Sequence, residues 1–251
     1  MTTDSVPYPS LTEIGWLADE TAAFRDRMIG IGRLQRFCRG QSLYAVGDLP
    51  DAIFGVISGH VDVSLPVGVE EEVLVHRAGP GFWLGDSALL ARADRALSLT
   101  AATDCVVLRL SGPSVRAHLA ACPDDWPAFF RLSHRNAVLT VGVLAEMLSL
   151  PPRARCARTL LRLMDPDGAV PATQEELARL TGMSRASFRR AMADVIAVGA
   201  VQTGYGTLHI RDSARLEALA ARTDPAAGTR GARGGVRRPG PREGPRAAPI
   251  V

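Results

Sequence analysis

The stretch that most narrows the fold is residues 173–199, TQEELARLTGMSRASFRRAMADVIAVG. Thr173 is a good helix N-cap, and Glu176 follows three residues on, the spacing of a capping box. Leu177, Ala178 and Leu180 give that helix one apolar face, and Gly182 ends it in a left-handed turn. Ser184 caps a second helix whose inner side is Phe188, Ala191, Val195 and Ile196, ended by Gly199. Two short helices joined by a tight turn, with a small residue where they cross, have the spacing of a helix-turn-helix. In that motif the second helix enters the DNA major groove with its N-terminal side chains at the base edges. Thr173, Ser184, Arg185, Ser187, Arg189 and Arg190 are therefore the candidate DNA-binding residues. The competing reading is an ordinary helical hairpin with a solvated arginine face. Residues 200–203 and 207–210 speak against it, because these β-prone runs flank Gly204-Tyr205-Gly206 as a hairpin, or wing.

Charge is distributed to match. Residues 1–150 hold 12 arginines against 17 acids, residues 151–221 hold 10 against 7, and residues 222–251 hold 7 against 2. Only the C-terminal part is basic, as expected if that part alone meets a polyanion. The last 30 residues are mostly Arg, Gly, Pro and Ala; they cannot build a core and are expected to be a disordered tail adding nonspecific attraction to phosphates.

The rest of the chain has room for a second unit. Residues 1–22 read as a loose leader running into a helix over residues 11–28. From Arg33 short β-prone runs alternate with glycines, and residues 53–57, 60–65, 72–76, 97–101 and 105–110 are strand candidates. Regular short strands with turn signals suggest a jelly roll over residues 23–123. Residues 124–150 then carry a long helical pattern with Phe130, Ala137, Leu144 and Met147 at heptad-like spacing and Val141 and Leu148 beside them. The stripe fits either a core helix or one half of a two-chain coiled coil, and its length favours the latter. Pro151-Pro152 ends it, and an amphipathic helix over residues 155–164 leads into the helix-turn-helix unit of residues 151–221.

Several classes are disfavoured. No apolar run reaches the roughly 18 residues of a membrane span, and MTTDSVPYPS is no signal peptide, so a cytoplasmic protein is expected. Cys38, Cys105, Cys122 and Cys156 form no C-x-x-C, so neither a zinc site nor an iron–sulfur cluster is expected. There is no G-x-S-x-G, no P-loop, and no H-x-H to start the ligand set of a metal-dependent jelly-roll enzyme. The expectation is a chain that is not an enzyme.

A jelly roll, a long helix and a winged helix-turn-helix, together α+β, resemble the bacterial Crp/Fnr family. The resemblance covers residues 23–219. It is carried by Gly40, Gly47-Asp48, Ile57-Ser58-Gly59, Pro80-Gly81-Phe82, the run from Gly85 to Leu90, Arg95, and Met183-Ser184-Arg185. It implies a homodimeric transcription regulator that meets RNA polymerase on DNA, with an N-terminal domain sensing a ligand or redox signal. It also places the effector contacts at Gly85, Asp86, Ser87, Ala88, Arg95 and Ala96. Family members that bind a cyclic nucleotide have Glu where this chain has Asp86 and a hydroxyl where it has Ala96, and their loop is one residue longer. Cyclic AMP is therefore a disfavoured effector; the expectation is either a different ligand or a degenerate pocket stabilised by an Asp–Arg contact, for which Asp94, beside Arg95, is a candidate acid. The alternative function is a cyclic-nucleotide-binding module acting through a protein partner.

Overall fold

The computed structural model describes residues 8–68, 71–204 and 208–221. Helix α1 (Pro9–Thr12), a 3-10 turn (Leu17–Asp19) and α2 (Ala22–Ile31) come first. The single helix expected over residues 11–28 is thus broken, and Gly15 is the cause. Its φ is +81°, and a Cβ there would lie 2.1 Å from the Gly81 carbonyl oxygen, so only glycine fits the turn. Thr21 restarts the helix by accepting from the Phe24 amide at 3.3 Å. From residue 8 onward the segment is no loose leader either. Leu11 and Leu17 are fully buried, and the Trp16 indole donates to the Ala128 carbonyl at 2.8 Å.

Strands β1 (Gly32–Phe37), β2 (Ser42–Tyr44), β3 (Ala52–Ser58), β4 (Val61–Pro66), β5 (Glu72–Ala78) and β6 (Trp83–Leu84) follow, then α3 (Asp86–Ala91), β7 (Ser98–Ala101) and β8 (Cys105–Ser111). They make two antiparallel four-stranded sheets, ordered β1-β8-β3-β6 and β2-β7-β4-β5. The expected jelly roll is present, with all five expected strands inside it. Phe54, Val56, Val61, Val63, Leu99 and Val107 fill the space between the sheets. Strands β1, β2 and β6 escape a reading by pattern. The sequence of β1, GRLQRF, has no inward alternation and is mostly exposed; it is a strand because it pairs residue for residue with β8 from Gly32–Leu110 to Phe37–Cys105.

After α4 (Gly112–Ala121) and a 3-10 turn (Pro123–Asp125), α5 (Trp126–Ser149) runs 24 residues. Its first turns are anchored, with Ala128, Phe129 and Leu132 packed against Trp16, Phe24 and Trp83. Beyond them its apolar residues face outward: Phe130 is 73% exposed, Val141 65%, Leu144 57% and Leu148 80%. With Ala137, also exposed, they lie at i, i+4, i+7 steps that put them on one helix face. His134 falls on the same row. Met147, expected in this stripe, departs from it. It is half-buried, its sulfur 3.8 Å and its carbonyl oxygen 3.1 Å from Nη1 of Arg155.

Pro151 stops α5, since its ring bars Leu150 from helical geometry. The C-terminal part is α6 (Pro152–Leu163), β9 (Ala169–Val170), α7 (Gln174–Leu180), α8 (Arg185–Ala197), β10 (Val201–Thr203), β11 (Leu208–Ile210) and α9 (Ser213–Ala220). The hairpin expected after the second helix is there, with β9 added to give a sheet ordered β10-β11-β9. Tyr205, Gly206 and Thr207, the basic tail of residues 222–251 and the first seven residues lie outside the described residues.

Candidate nucleic-acid interface and sensor pocket

The helix-turn-helix is built from reciprocal caps. The Thr173 hydroxyl accepts from the Glu176 amide at 3.2 Å, and the Glu176 carboxylate accepts from the Thr173 amide at 2.7 Å. In the turn, the buried Thr181 hydroxyl donates to the carbonyls of Leu177 and Ala178, and Gly182 takes φ +60°. Ser184 then accepts from the Ser187 amide at 3.2 Å and starts α8. Phe188, Ala191, Met192 and Val195 are the buried side of α8. Ile196, expected there, is 40% exposed, and Met192 takes its place beside Ala191. One residue is a 100° rotation, enough to carry Ile196 out of a stripe centred on Phe188 and Val195.

The caps leave Thr173, Ser184, Arg185, Arg189 and Arg190 exposed on one end of the motif, with Ser187 half-exposed among them. The Arg190 guanidinium approaches the Ser187 hydroxyl at 3.4 Å. A residue not anticipated from the sequence is Glu175, whose carboxylate accepts from Arg185 at 2.6 Å. Both side chains are well exposed, so the pair is weak in water and open to exchange for another acceptor. Ten residues separate them, and no helical spacing announces the pair.

The residues expected to contact an effector are differently placed. Gly85 has φ +88°, and a Cβ there would stand 2.9 Å from Nη1 of Arg95, so glycine is required twice over. Arg95 is 2% exposed. Its guanidinium donates to the carbonyls of Gly85 at 2.8 Å and Ala52 at 2.6 Å, and stacks 4.0 Å from the Tyr44 ring centre. The acid beside it is Asp51, at 3.4 Å, and not the expected Asp94, which is exposed. Asp86 is also buried, and its carboxylate accepts from the Ser133 hydroxyl at 2.5 Å and the Asn136 amide at 2.8 Å, both on α5. Ser87 and Ala96 are exposed, and Ala88 is half-buried. The expected constellation is thus split, with Arg95 tied to the jelly-roll backbone and Asp86 tied to the long helix.

A third cluster joins the two halves of the chain. Arg77, on β5, is 3% exposed. It donates to Asp62 at 2.7 and 2.9 Å, to Glu176 at 2.9 Å and to the Pro171 carbonyl. Burial alone would raise the Glu176 carboxyl, but hydrogen bonds from Arg77 and Thr173 prevail and hold it down at about 2. Nearby, the His60 ring lies 3.2 Å from the Asp165 carboxylate. Leu74 of β5 is buried in the same apolar cluster as Leu177 and Phe188. Nothing in the run EVLVHRA marks Arg77 as more than a strand residue, because Asp62 comes from the adjacent strand β4, and Pro171 and Glu176 arrive from 94 and 99 residues away.

Comparison with known proteins agrees with this architecture. Residues 34–122 match the family model described as a cyclic nucleotide-binding domain, and residues 154–219 match a Crp-like helix-turn-helix domain. The chain is similar to the cyclic AMP receptor protein of Thermus thermophilus, 31% identical over 193 residues, covering 72% of this chain and 85% of that one. It is 27% identical over 189 residues to a CRP-like cAMP-activated global transcriptional regulator of Mycobacterium tuberculosis, covering 72% and 84%. Among solved structures, a CRP-family transcriptional regulator of Thermus thermophilus superposes with a TM-score of 0.57 at 26% identity, covering 75% of this chain and 97% of that one. The c-di-GMP responsive global regulator CLP of Xanthomonas campestris shares the fold, with a TM-score of 0.59 at 20% identity over 76% and 99% of the two chains.

Proposed function

Because the chain belongs to the Crp/Fnr family of transcription regulators, we propose that it reads a near-palindromic DNA site as a homodimer set by a signal in its jelly roll. Two copies of α8 would enter successive major grooves about 34 Å apart. The exposed stripe of α5, Phe130, Ala137, Val141, Leu144 and Leu148, is the surface that pairs the copies. Among the described residues no helix is long and apolar enough to cross a membrane. The cytoplasm is the compartment that fits a DNA-bound regulator, and RNA polymerase is the partner that fits its role there.

The observation that carries this reading is the position of Arg185. It follows the Ser184 cap at the start of α8 and is held by an exposed acid that DNA can replace. A guanidinium on the groove floor makes two hydrogen bonds to guanine O6 and N7, worth about 1–3 kcal/mol of discrimination. Ala186, next in line, accepts no hydrogen bond and touches at most a thymine methyl. Arg185→Ala is expected to lower specific affinity roughly 10- to 100-fold and to relax the preference at one base pair per half-site. Nonspecific binding should stay nearly intact. Selection from a random DNA pool followed by binding assays measures both. An equal loss for every sequence would make Arg185 a phosphate contact and displace the recognition helix from this role.

For the effector, the arrangement of Arg95 supports weak or absent binding of cyclic AMP. A cyclic phosphate has to draw the guanidinium away from two backbone carbonyls, and Ala96 supplies no hydroxyl in return. Each charge-assisted hydrogen bond forgone costs about 1.5–3 kcal/mol. Calorimetry should find a dissociation constant far above micromolar, and a submicromolar value would refute the expectation. Whatever the signal is, the Asp86 bonds to Ser133 and Asn136 supply its path from sensor loop to long helix, biasing one of two dimer geometries.

A further inference from the structure

Three unlike donors meet where α4 gives way to α5. The imidazole of His118, the thiol of Cys122 and the carboxylate of Asp125 present ligand atoms within 4.8 Å of one another, all three residues partly shielded from solvent. Local structure brings them together. His118 and Cys122 are four residues apart at the end of α4, hence on one face, and the Cys122 amide donates to the His118 carbonyl at 2.8 Å. Pro123 then starts a 3-10 turn in which the Asp125 amide donates to the Cys122 carbonyl at 3.1 Å, folding Asp125 back. Asp125 stands at the N-cap of α5 but its side chain caps nothing. Instead its carboxylate accepts from the His118 Nε2 at 2.7 Å and from Arg27 at 2.8 and 3.0 Å.

We propose that His118, Cys122 and Asp125 form a binding site for a divalent transition metal of the zinc type. Imidazole nitrogen, thiolate sulfur and carboxylate oxygen together suit a borderline-soft ion, whereas magnesium and calcium take oxygen ligands. Zinc–ligand bonds of about 2.0–2.3 Å need the three atoms drawn slightly closer, which side-chain rotation provides. On binding, the Cys122 thiol gives its proton to solvent, and His118 gives up the Nε2 proton that faces Asp125 while Nδ1 carries the remaining N–H, so that the Nε2 lone pair turns to the ion. Asp125 exchanges its His118 partner for the ion. Arg27 remains on the carboxylate as an outer hydrogen-bond donor that orients it. Water fills the fourth position of the tetrahedron. The expectation of no zinc site rests on the missing C-x-x-C, and the spacing here, H-x3-C-x2-D, is compatible with ligation only because Pro123 turns the chain back. An occupied site would tie the end of α4 to the base of the helix that carries the exposed apolar stripe.

The competing account is a plain Arg27–Asp125–His118 hydrogen-bonded knot, in which Cys122 has no part. Titrating the untagged, metal-free full chain with cobalt(II) separates the two. The proposal expects one equivalent bound per chain, with a thiolate-to-cobalt charge-transfer band, intense tetrahedral ligand-field bands and release of the thiol proton. Zinc should displace the cobalt and raise the Tm, and magnesium should do neither. Cys122→Ser is expected to abolish the charge-transfer band and His118→Gln to weaken binding at least 100-fold, while Cys38→Ser binds as wild type. Variants are compared only after circular dichroism shows wild-type folding, and Cys122→Ala replaces Cys122→Ser if that one does not fold. No binding at micromolar cobalt, binding without a sulfur band, or a band that survives the loss of Cys122 would each overturn the site.

Discussion

Leu144→Glu is expected to leave the protein monomeric in light scattering, with wild type expected to be a dimer. Leu144 is 57% exposed at the middle of the α5 row, between Val141 and Leu148. An apolar row this long on one helix face is what a partner surface looks like, since single chains seldom leave such patches in water. In a symmetric pairing each substituted residue meets its counterpart, so two carboxylates are buried close together without a cation. That costs several kcal/mol per dimer. The inward face of α5, through Phe129 and Leu132, is untouched, so the monomer keeps its fold. Specific DNA affinity falls with the dimer, because the second half-site contact is no longer intramolecular. A variant that remains dimeric at micromolar concentration would show that the copies pair through another surface.

The second large effect is expected from Arg77. Removing one partner of a buried ion network leaves the others charged and unpaired, typically costing about 3–5 kcal/mol. Arg77→Ala strands Asp62, Glu176 and the Pro171 carbonyl together. At about 2–4 °C per kcal/mol for a chain of this size, calorimetry should see Tm fall by roughly 10 °C. Glu176 also closes the cap of α7, so Asp62→Asn is the cleaner companion: it disturbs the network and leaves the helix cap alone. The network also has a pH signature. Glu176 is held at about 2 against an ordinary 4.5, so its contribution is complete above pH 4.5 and disappears as pH falls toward 2. The wild-type advantage over Glu176→Gln should shrink across that window and stay constant above it. An advantage that is flat through the window would mean the carboxylate is not held by Arg77 in solution.

Much of this molecule is written in short-range chemistry. The caps at Thr173 and Ser184, the turn at Gly182 and the apolar steps of α7 and α8 depend on neighbours within a few residues. The helix-turn-helix and its arginines were therefore legible before any coordinates. The same holds for the glycine-punctuated strands and for the α5 stripe, whose shared face follows from helical period, while packing decides that this face points outward. What the sequence leaves undetermined depends on partners far along the chain. Strand β1 exists because β8 offers it a ladder, and Gly15 breaks a plausible helix because Gly81 lies against it. The family resemblance singles out Arg95 in the sequence, yet Ala52 and Gly85 decide where its protons go. Asp51 replaces Asp94 beside it through proximity that no local pattern encodes. Arg77 draws its meaning from Glu176, 99 residues away. Local propensity is a property of a few successive residues. The pairing of buried polar groups is settled only when packing brings distant segments together and leaves each charge to find a partner or remain costly.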